Sequence, residues 1–270
     1  MIEEFIELDY KNKKLKIAYY FSKGKKAPIV FIHGLGDSKK FFNDVWKHKN
    51  FSEHSILTFD LIGFGNSSNP KGFSYKVEDH AEICSLLINK LGLTNINLVG
   101  HSFGGAISLL LIEKIKPRIS SFVNVEGNLI SEDCTMSREI SDYPIKDFKK
   151  YGFEKIKNEI KMQEDLQKNP KAAQIWQSSL SKSSAIALHK SSVSLVRWSE
   201  SGKLLKLFND LIINKCYIYG ELNKDLKVLE KIPKIKRLSI AKSGHFMMID
   251  NPKDFYGTLS KLLKKWKNNS

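Results

Sequence analysis

The stretch INLVGHSFGG, residues 96–105, limits what this 270-residue chain can fold into more than any other. An apolar run typical of a β-strand ends at Val99, and an apolar helical pattern follows the turn directly. Gly100 and Gly104 enclose Ser102 in the order G-x-S-x-G, because side chains at the two glycines would clash in so tight a turn. Such a strained turn lifts a serine hydroxyl to the carboxyl edge of a sheet. We therefore predict that Ser102 is a nucleophile.

Short apolar runs of the β type alternate with helical patterns along most of the chain. This alternation predicts an α/β fold with a mostly parallel sheet and helices on both faces. The first two runs are expected to pair as a hairpin across residues 11–14, and apolar stripes in 77–91 and 255–266 predict amphipathic helices. The eight predicted strands are residues 4–10, 15–21, 28–34, 55–60, 96–101, 121–126, 215–220 and 235–241.

The alternation stops between residues 131 and 211. This segment has no convincing strand, is rich in Lys, Ser and Glu, and carries scattered aromatic residues that include Trp176 and Trp198. A separate helical domain is the alternative, but the strand pattern resumes afterwards, which favours an insertion into one domain. We predict a core formed by residues 1–130 and 212–270, with residues 131–211 inserted as helices.

The formal net charge of +15 is the unusual feature of the composition. A strong basic excess can indicate a nucleic-acid or membrane partner. Arginine, which suits bidentate phosphate binding, is scarce, and the lysines are spread along the chain. A solvated, lysine-rich surface is therefore the favoured interpretation, and no nucleic-acid partner is expected.

The sequence carries no signal for export, for membrane insertion or for a metal site. No apolar run approaches the roughly 18–20 residues that cross a bilayer, and the amino terminus lacks the apolar region of a secretory signal. Cys84, Cys134 and Cys216 are far apart and have no metal-type spacing. A cytoplasmic protein with reduced thiols, no membrane span and no metal is expected.

The G-x-S-x-G turn resembles the nucleophile elbow of the α/β-hydrolase family, and the resemblance covers essentially the whole chain. PIVFIHGLGDS, residues 28–38, places a His-Gly-x-Gly turn after the third strand, and DLIGFGNSSNP, residues 60–70, matches the Asp-x-x-Gly-x-Gly-x-Ser loop after the fourth. The resemblance implies a mostly parallel eight-stranded sheet flanked by helices, with a helical cap inserted after strand 6. It also implies an oxyanion hole formed by the backbone N–H groups of Leu35 and Phe103, which would stabilise charge on the carbonyl oxygen in the transition state.

The family places a histidine after the last strand and before the last helix. Here that loop is SGHFMMIDNP, residues 243–252, which contains His245. A histidine in this place can take the proton of Ser102 and return it to the leaving group. The resemblance therefore implies His245 as general base and acid.

The third catalytic position departs from the family's commonest pattern. The family usually has an aspartate three residues after the glycine that ends the seventh strand, whereas here Gly220 is followed by Asn223 at that spacing. Some branches, including haloalkane dehalogenases, carry the acid after the sixth strand, where this chain has Glu126. An ionised acid at the end of an apolar strand is costly unless it is paired. Glu126 is the favoured acid; Asp225, Glu221, a Ser–His dyad and a purely structural Glu126 remain open.

A serine nucleophile in this family implies hydrolysis of a small-molecule carboxylic ester through an acyl-enzyme, without a cofactor. The aspartate nucleophile of dehalogenases and epoxide hydrolases is absent. Trp176 and Trp198 are candidates to line the substrate pocket, or they pack the cap on the core. The rival activities are lactonase, carbon–carbon hydrolase, perhydrolase and acyltransferase, and a ligand-binding protein without turnover is the non-enzymatic alternative.

Overall fold

The computed structural model of the chain describes residues 1–166 and 170–267. All eight predicted strands are confirmed, with ends that differ by at most two residues. The strands are β1 (Glu4–Tyr10), β2 (Lys13–Ser22), β3 (Lys26–Ile32), β4 (His54–Phe59), β5 (Ile96–His101), β6 (Ile119–Val125), β7 (Asn214–Gly220) and β8 (Arg237–Ile240). They form one sheet in the order β1-β2-β4-β3-β5-β6-β7-β8.

The sheet is parallel except around its second strand. β2 runs antiparallel to β1 and to β4, and the remaining neighbours pair in parallel. The predicted hairpin is confirmed, and its turn has Lys11 and Asn12 at φ 47° and 59°. Two successive positive φ values match the type I′ turn, whose twist suits a two-residue hairpin.

Helices connect most of the parallel strands. They are α1 (Val77–Lys90), α2 (Phe103–Ile115), α3 (Thr135–Asp142), α4 (Ile145–Asp147), α5 (Phe153–Leu166), α6 (Pro170–Leu180), α7 (Ala185–Glu200), α8 (Lys203–Asp210), α9 (Val228–Lys231), α10 (Met247–Asp250) and α11 (Pro252–Lys267). Short 3₁₀ turns span Lys39–Lys47, Lys49–Phe51, Lys116–Arg118, Ser131–Asp133 and Glu221–Asn223, and a π turn spans Phe148–Gly152. None of the described helices combines the length and apolar character needed to span a bilayer.

Alternate residues of the central strands face two separate apolar layers. Leu98 and Phe122 belong to the layer that contains α1 and α2, whereas Val99 and Val123 belong to the layer that contains α11. This alternation follows from the two-residue period of a strand. Because both faces are covered, the central strands are apolar throughout, as the sequence pattern predicts.

Between β6 and β7 the described residues form helices α3 to α8 and no strand. Polar contacts join α7 and the residue before it to earlier parts of the chain: the Val77 N–H at the start of α1 donates to Ser194 Oγ (3.1 Å), and the Ser184 N–H donates to the Gly63 carbonyl (2.9 Å). Residues 167–169 of the predicted insertion lie outside the described residues. The division of the chain into core and cap stays a prediction.

Candidate active site

Four of the predicted site residues lie on loops at the carboxyl edge of the sheet. Leu35 follows β3, Ser102 follows β5, Glu126 follows β6 and His245 lies in the loop after β8. Because β3, β5, β6, β7 and β8 are parallel neighbours, their carboxyl ends meet at one edge. Residues that are far apart in the sequence therefore come together there.

Ser102 lies in a strained turn between β5 and α2. Its backbone angles are φ 51° and ψ −120°, a region that a residue with a side chain rarely adopts. The Ser102 N–H donates to the Val125 carbonyl (3.0 Å), which fastens the turn to the end of β6. A Cβ atom on Gly100 would lie 2.4 Å from Ser108 Oγ, so this glycine is required by the approach of α2. The expected geometry of the turn is present.

Gly104 is the tightest point of the turn. A Cβ atom there would lie 2.2 Å from the Ile32 carbonyl oxygen and 2.7 Å from that of His33, and neither backbone atom can move freely. We expect Gly104→Ala to lower the free energy of unfolding by about 3 kcal/mol in urea denaturation, because overpacking strains β3 and the turn. Gly257→Ala in α11 is the control: its Cβ meets nothing within 4 Å, so stability should rise by about 0.5–1 kcal/mol. Equal unfolding midpoints for the two variants would contradict this account.

Glu126 and His245 form a direct pair. His245 Nδ1 donates to Glu126 Oε2 at 2.7 Å, and the Glu126 side chain is almost completely buried whereas His245 is part-exposed. Glu126 has φ 40°, and its own N–H donates to the Ile218 carbonyl (2.9 Å). A positive φ on a non-glycine residue costs energy and is retained where the surrounding structure enforces it. The backbone is thus held in a strained conformation that directs the carboxylate at the imidazole.

Electrostatics couples the two groups. Burial by itself would raise the pKa of Glu126, but hydrogen bonds and the charge of His245 lower it below its ordinary value. Burial by itself would lower the pKa of His245, but the Glu126 carboxylate raises it above 6.5. The opposite shifts have one cause, because each charge stabilises the other. The pair therefore favours an ionised Glu126 and a more basic imidazole.

Phe103 directly follows Ser102 in the chain, and Leu35 lines the same cavity as Ser102. The N–H groups of Leu35 and Phe103 donate to no protein acceptor within residues 1–166 and 170–267. Phe103 is the first residue of α2, so its N–H also belongs to the positive end of the helix dipole. Buried backbone donors are nearly always paired. A free N–H group can stabilise an anionic oxygen, and the pairing of Leu35 with Phe103 in an oxyanion hole stays a prediction.

A cavity of about 1120 Å³ opens at this edge of the sheet. Ser102, Glu126, His245, Leu35 and Trp176 all line it, so five of the predicted site residues come together. The ring of Phe103 does not line it but packs edge-on against His80 at 5.4 Å. Six carboxylates and one lysine lie in the wall: Asp37, Glu126, Glu132, Asp133, Glu221, Asp250 and Lys242. The cavity is therefore strongly acidic, although the chain as a whole carries a charge of +15.

Trp198, the second predicted pocket tryptophan, is not brought to this cavity. It lines a separate surface cavity of about 450 Å³ together with Leu110 and Lys203. The reason is that Trp198 lies near the carboxyl end of α7, where that helix meets α2 and α8. Trp198 packs, partly buried, against the apolar layer that contains α1 and α2, and its alternative role in packing the cap on the core stays a prediction.

Neither of the two other acids weighed for the triad forms a hydrogen bond with His245 within residues 1–166 and 170–267. Glu221 is exposed, and its Oε2 accepts a hydrogen bond from the Lys242 N–H (2.8 Å). Asp225 is exposed and does not line the cavity. Among the three candidate acids, Glu126 is the one bonded to the imidazole.

Sequence reasoning missed two residues that hold this pair. Asn223 Nδ2 donates to both carboxylate oxygens of Glu126. His101 Nε2 donates to the His245 carbonyl (3.0 Å), and the two rings lie 4.6 Å apart. The sequence shows an amide at 223, where the resemblance leads one to expect an acid. Its role as a donor depends on how the loops after β6 and β7 approach each other.

Comparison with known proteins agrees with the topology. The family model for the alpha/beta hydrolase fold matches residues 27–155. "Mesoderm-specific transcript homolog protein" of Bos taurus is 28% identical over 124 residues, which are 44% of this chain and 37% of that protein. "Putative esterase/lipase 2" of Mycoplasma pneumoniae is 32% identical over 102 residues, 37% of this chain and 38% of that protein. The matches thus span less than two fifths of the length of these relatives.

A solved structure extends the likeness to the whole chain. A thermophilic esterase from Thermogutta terrifontis superposes with a TM-score of 0.80 at 16% identity, covering 98% of this chain and 99% of that one. At this identity the likeness concerns the fold. The strand order, the strained serine turn and the matched family model all agree. The chain therefore has the α/β-hydrolase fold.

Proposed function

We propose that this chain is a serine hydrolase that cleaves a small-molecule carboxylic ester, with Ser102 as nucleophile, His245 as general base and acid, and Glu126 as the orienting acid. The observation that carries the proposal is the 2.7 Å bond from His245 Nδ1 to a buried carboxylate, on the cavity that Ser102 also lines. A nucleophile, a base and a group that orients the base are the minimum for acyl transfer.

The mechanism follows from the tautomer. Because Nδ1 of His245 donates to Glu126, the lone pair of a neutral imidazole lies on Nε2. Nε2 takes the hydroxyl proton as Ser102 Oγ attacks the carbonyl carbon, and the N–H groups of Leu35 and Phe103 stabilise the resulting oxyanion. The imidazolium then protonates the leaving alcohol, which leaves an acyl group on Ser102. Water activated by His245 hydrolyses this acyl-enzyme.

We also propose that residues 131–211 act as a cap over a core of residues 1–130 and 212–270. Met136, Trp176 and Leu195 from α3, α6 and α7 line the same cavity as Ser102. Apolar and aromatic side chains there suit an uncharged acyl or alcohol group. Two likenesses support an ester substrate: the Mycoplasma pneumoniae relative carries esterase/lipase in its name, and the Thermogutta terrifontis structure is an esterase.

Labelling with a fluorophosphonate tests the proposal. The probe should modify the protein stoichiometrically, and the label should be lost in Ser102→Ala. Ser181→Ala, at an exposed serine just after α6, should label like the parent protein. A folded parent protein that takes no label, or a label retained in Ser102→Ala, would exclude the proposed nucleophile. A panel of p-nitrophenyl esters and lactones then separates an esterase from a lactonase.

The acidic wall of the cavity predicts which esters are poor substrates. We expect kcat/KM for p-nitrophenyl butyrate to exceed that for mono-p-nitrophenyl succinate at least tenfold, or about 1.4 kcal/mol, because the succinate carboxylate is repelled by the cavity acids. The two esters share one leaving group and have similar length. The ratio should shrink as salt is added, since salt screens the repulsion. Equal values at low salt would contradict this expectation.

A further inference from the structure

We propose that Asn223 is a positioning residue for Glu126, and that its side-chain amide holds the carboxylate with one oxygen directed at His245. The inference rests on the proposed function, because it assigns Asn223 a task in the same site. Asn223 occupies the place after β7 where the family resemblance led us to expect an acid. The structure shows it as a donor to the acid on the neighbouring strand.

The contacts of Glu126 carry the inference. Oε1 accepts from the Gly220 N–H (2.8 Å) and from Asn223 Nδ2 (3.0 Å). Oε2 accepts from the same Nδ2 (2.9 Å) and from His245 Nδ1 (2.7 Å). Donors on both oxygens prevent the carboxylate from rotating, so Oε2 faces the imidazole before the reaction begins. A carboxylate held in one orientation keeps the His245 ring in the orientation that a base needs.

The amide is suited to this place because it donates without charge. Its Nδ2 lies about 3 Å from both oxygens of Glu126, so an aspartate at 223 would place a second carboxylate against the first. Two carboxylates at that distance cannot both be ionised, so they share one proton. An acid at both positions would therefore replace a fixed donor to Glu126 with a competitor for its proton, whereas an amide at 223 stabilises the ionised Glu126.

Two nearly isosteric substitutions separate these effects. Asn223→Leu keeps the shape and removes the donor, so we expect kcat to fall about tenfold or more with little change in KM. The acidic limb of the kcat profile against pH should move to higher pH by about one unit. Without this donor the Glu126 carboxylate attracts a proton more strongly, which makes His245 more basic. Asn223→Asp should move the limb up further.

The matched control is Asn214→Asp, which adds the same charge at the opposite end of β7, about 20 Å away. It should leave kcat and the pH profile unchanged. The other titratable groups that interact with the pair are Asp37, His101, Asp133, Tyr217 and Asp250, and these variants leave them in place. The pH profile thus reports on the contact at 223.

An NMR titration of the His245 ring gives a readout that does not depend on turnover. Asn223→Leu should raise the measured pKa of His245 by about one unit. If the shift occurs and the parent protein hydrolyses no ester, the proposed function fails and the positioning contact stands. If folded Asn223→Leu keeps the parent kcat and His245 pKa, the inference is wrong. An Asn223→Asp variant as active as the parent, with an unshifted limb, would equally overturn it, because the acid would then work from β7.

Discussion

Ser102→Ala is expected to lower kcat for hydrolysis of p-nitrophenyl butyrate by about 10⁶-fold, the loss typical of a serine nucleophile. The physical reason is that no other side chain can form the acyl-enzyme in the strained turn, where φ 51° presents the residue at 102 to the cavity. The residual rate should reflect ester binding and the N–H groups of Leu35 and Phe103 alone. Single-turnover kinetics with excess enzyme measures it.

Ligand binding by Ser102→Ala is the control, because it shows whether the cavity is intact. A non-hydrolysable analogue of the ester should bind Ser102→Ala about as tightly as it binds the parent protein, since the cavity walls are unchanged. Thermal unfolding should shift little, because the substitution removes one oxygen and retains Cβ. A variant that folds, binds and still turns over at more than a few per cent of the parent rate would place the nucleophile elsewhere.

Glu126→Gln is expected to lower kcat by about 10³–10⁴-fold, because an amide cannot stabilise the imidazolium and can hold the wrong tautomer. The glutamine keeps the size of the buried side chain, so the protein should remain folded. Asp225→Asn removes a carboxylate from the exposed loop after β7 and serves as the matched control, with activity near that of the parent. The reverse outcome would move the catalytic acid to the β7 loop.

The pH dependence supplies a second test of Glu126. The base must be neutral, and its pKa is raised above 6.5, so kcat/KM should fall as pH falls, with a midpoint above 6.5. In Glu126→Gln the anion is gone and burial of His245 remains, so the midpoint should move to lower pH by about one unit or more. An unchanged midpoint would mean that Glu126 does not interact with the base.

The strands and the serine turn were predictable because their signals are local. Gly100 and Gly104 are required by contacts within a few residues of Ser102 or with the adjacent strand, and a short continuous run of apolar residues is enough to indicate a buried strand. The choice of acid was not settled by such signals. Glu126, Glu221 and Asp225 all follow strands, and sequence distance does not say which carboxylate meets His245.

The sequence by itself determined the α/β class, the strand order along the chain and the turn that presents Ser102, since each depends on residue periodicity or on glycine at short range. Only the tertiary structure decided that Glu126 bonds to His245, that Asn223 donates to that carboxylate and that Trp198 lies at a different cavity. These outcomes depend on which way each loop turns after leaving its strand. A difference of a few ångströms there separates a bonded pair from an exposed charge, and a one-dimensional pattern does not carry that information.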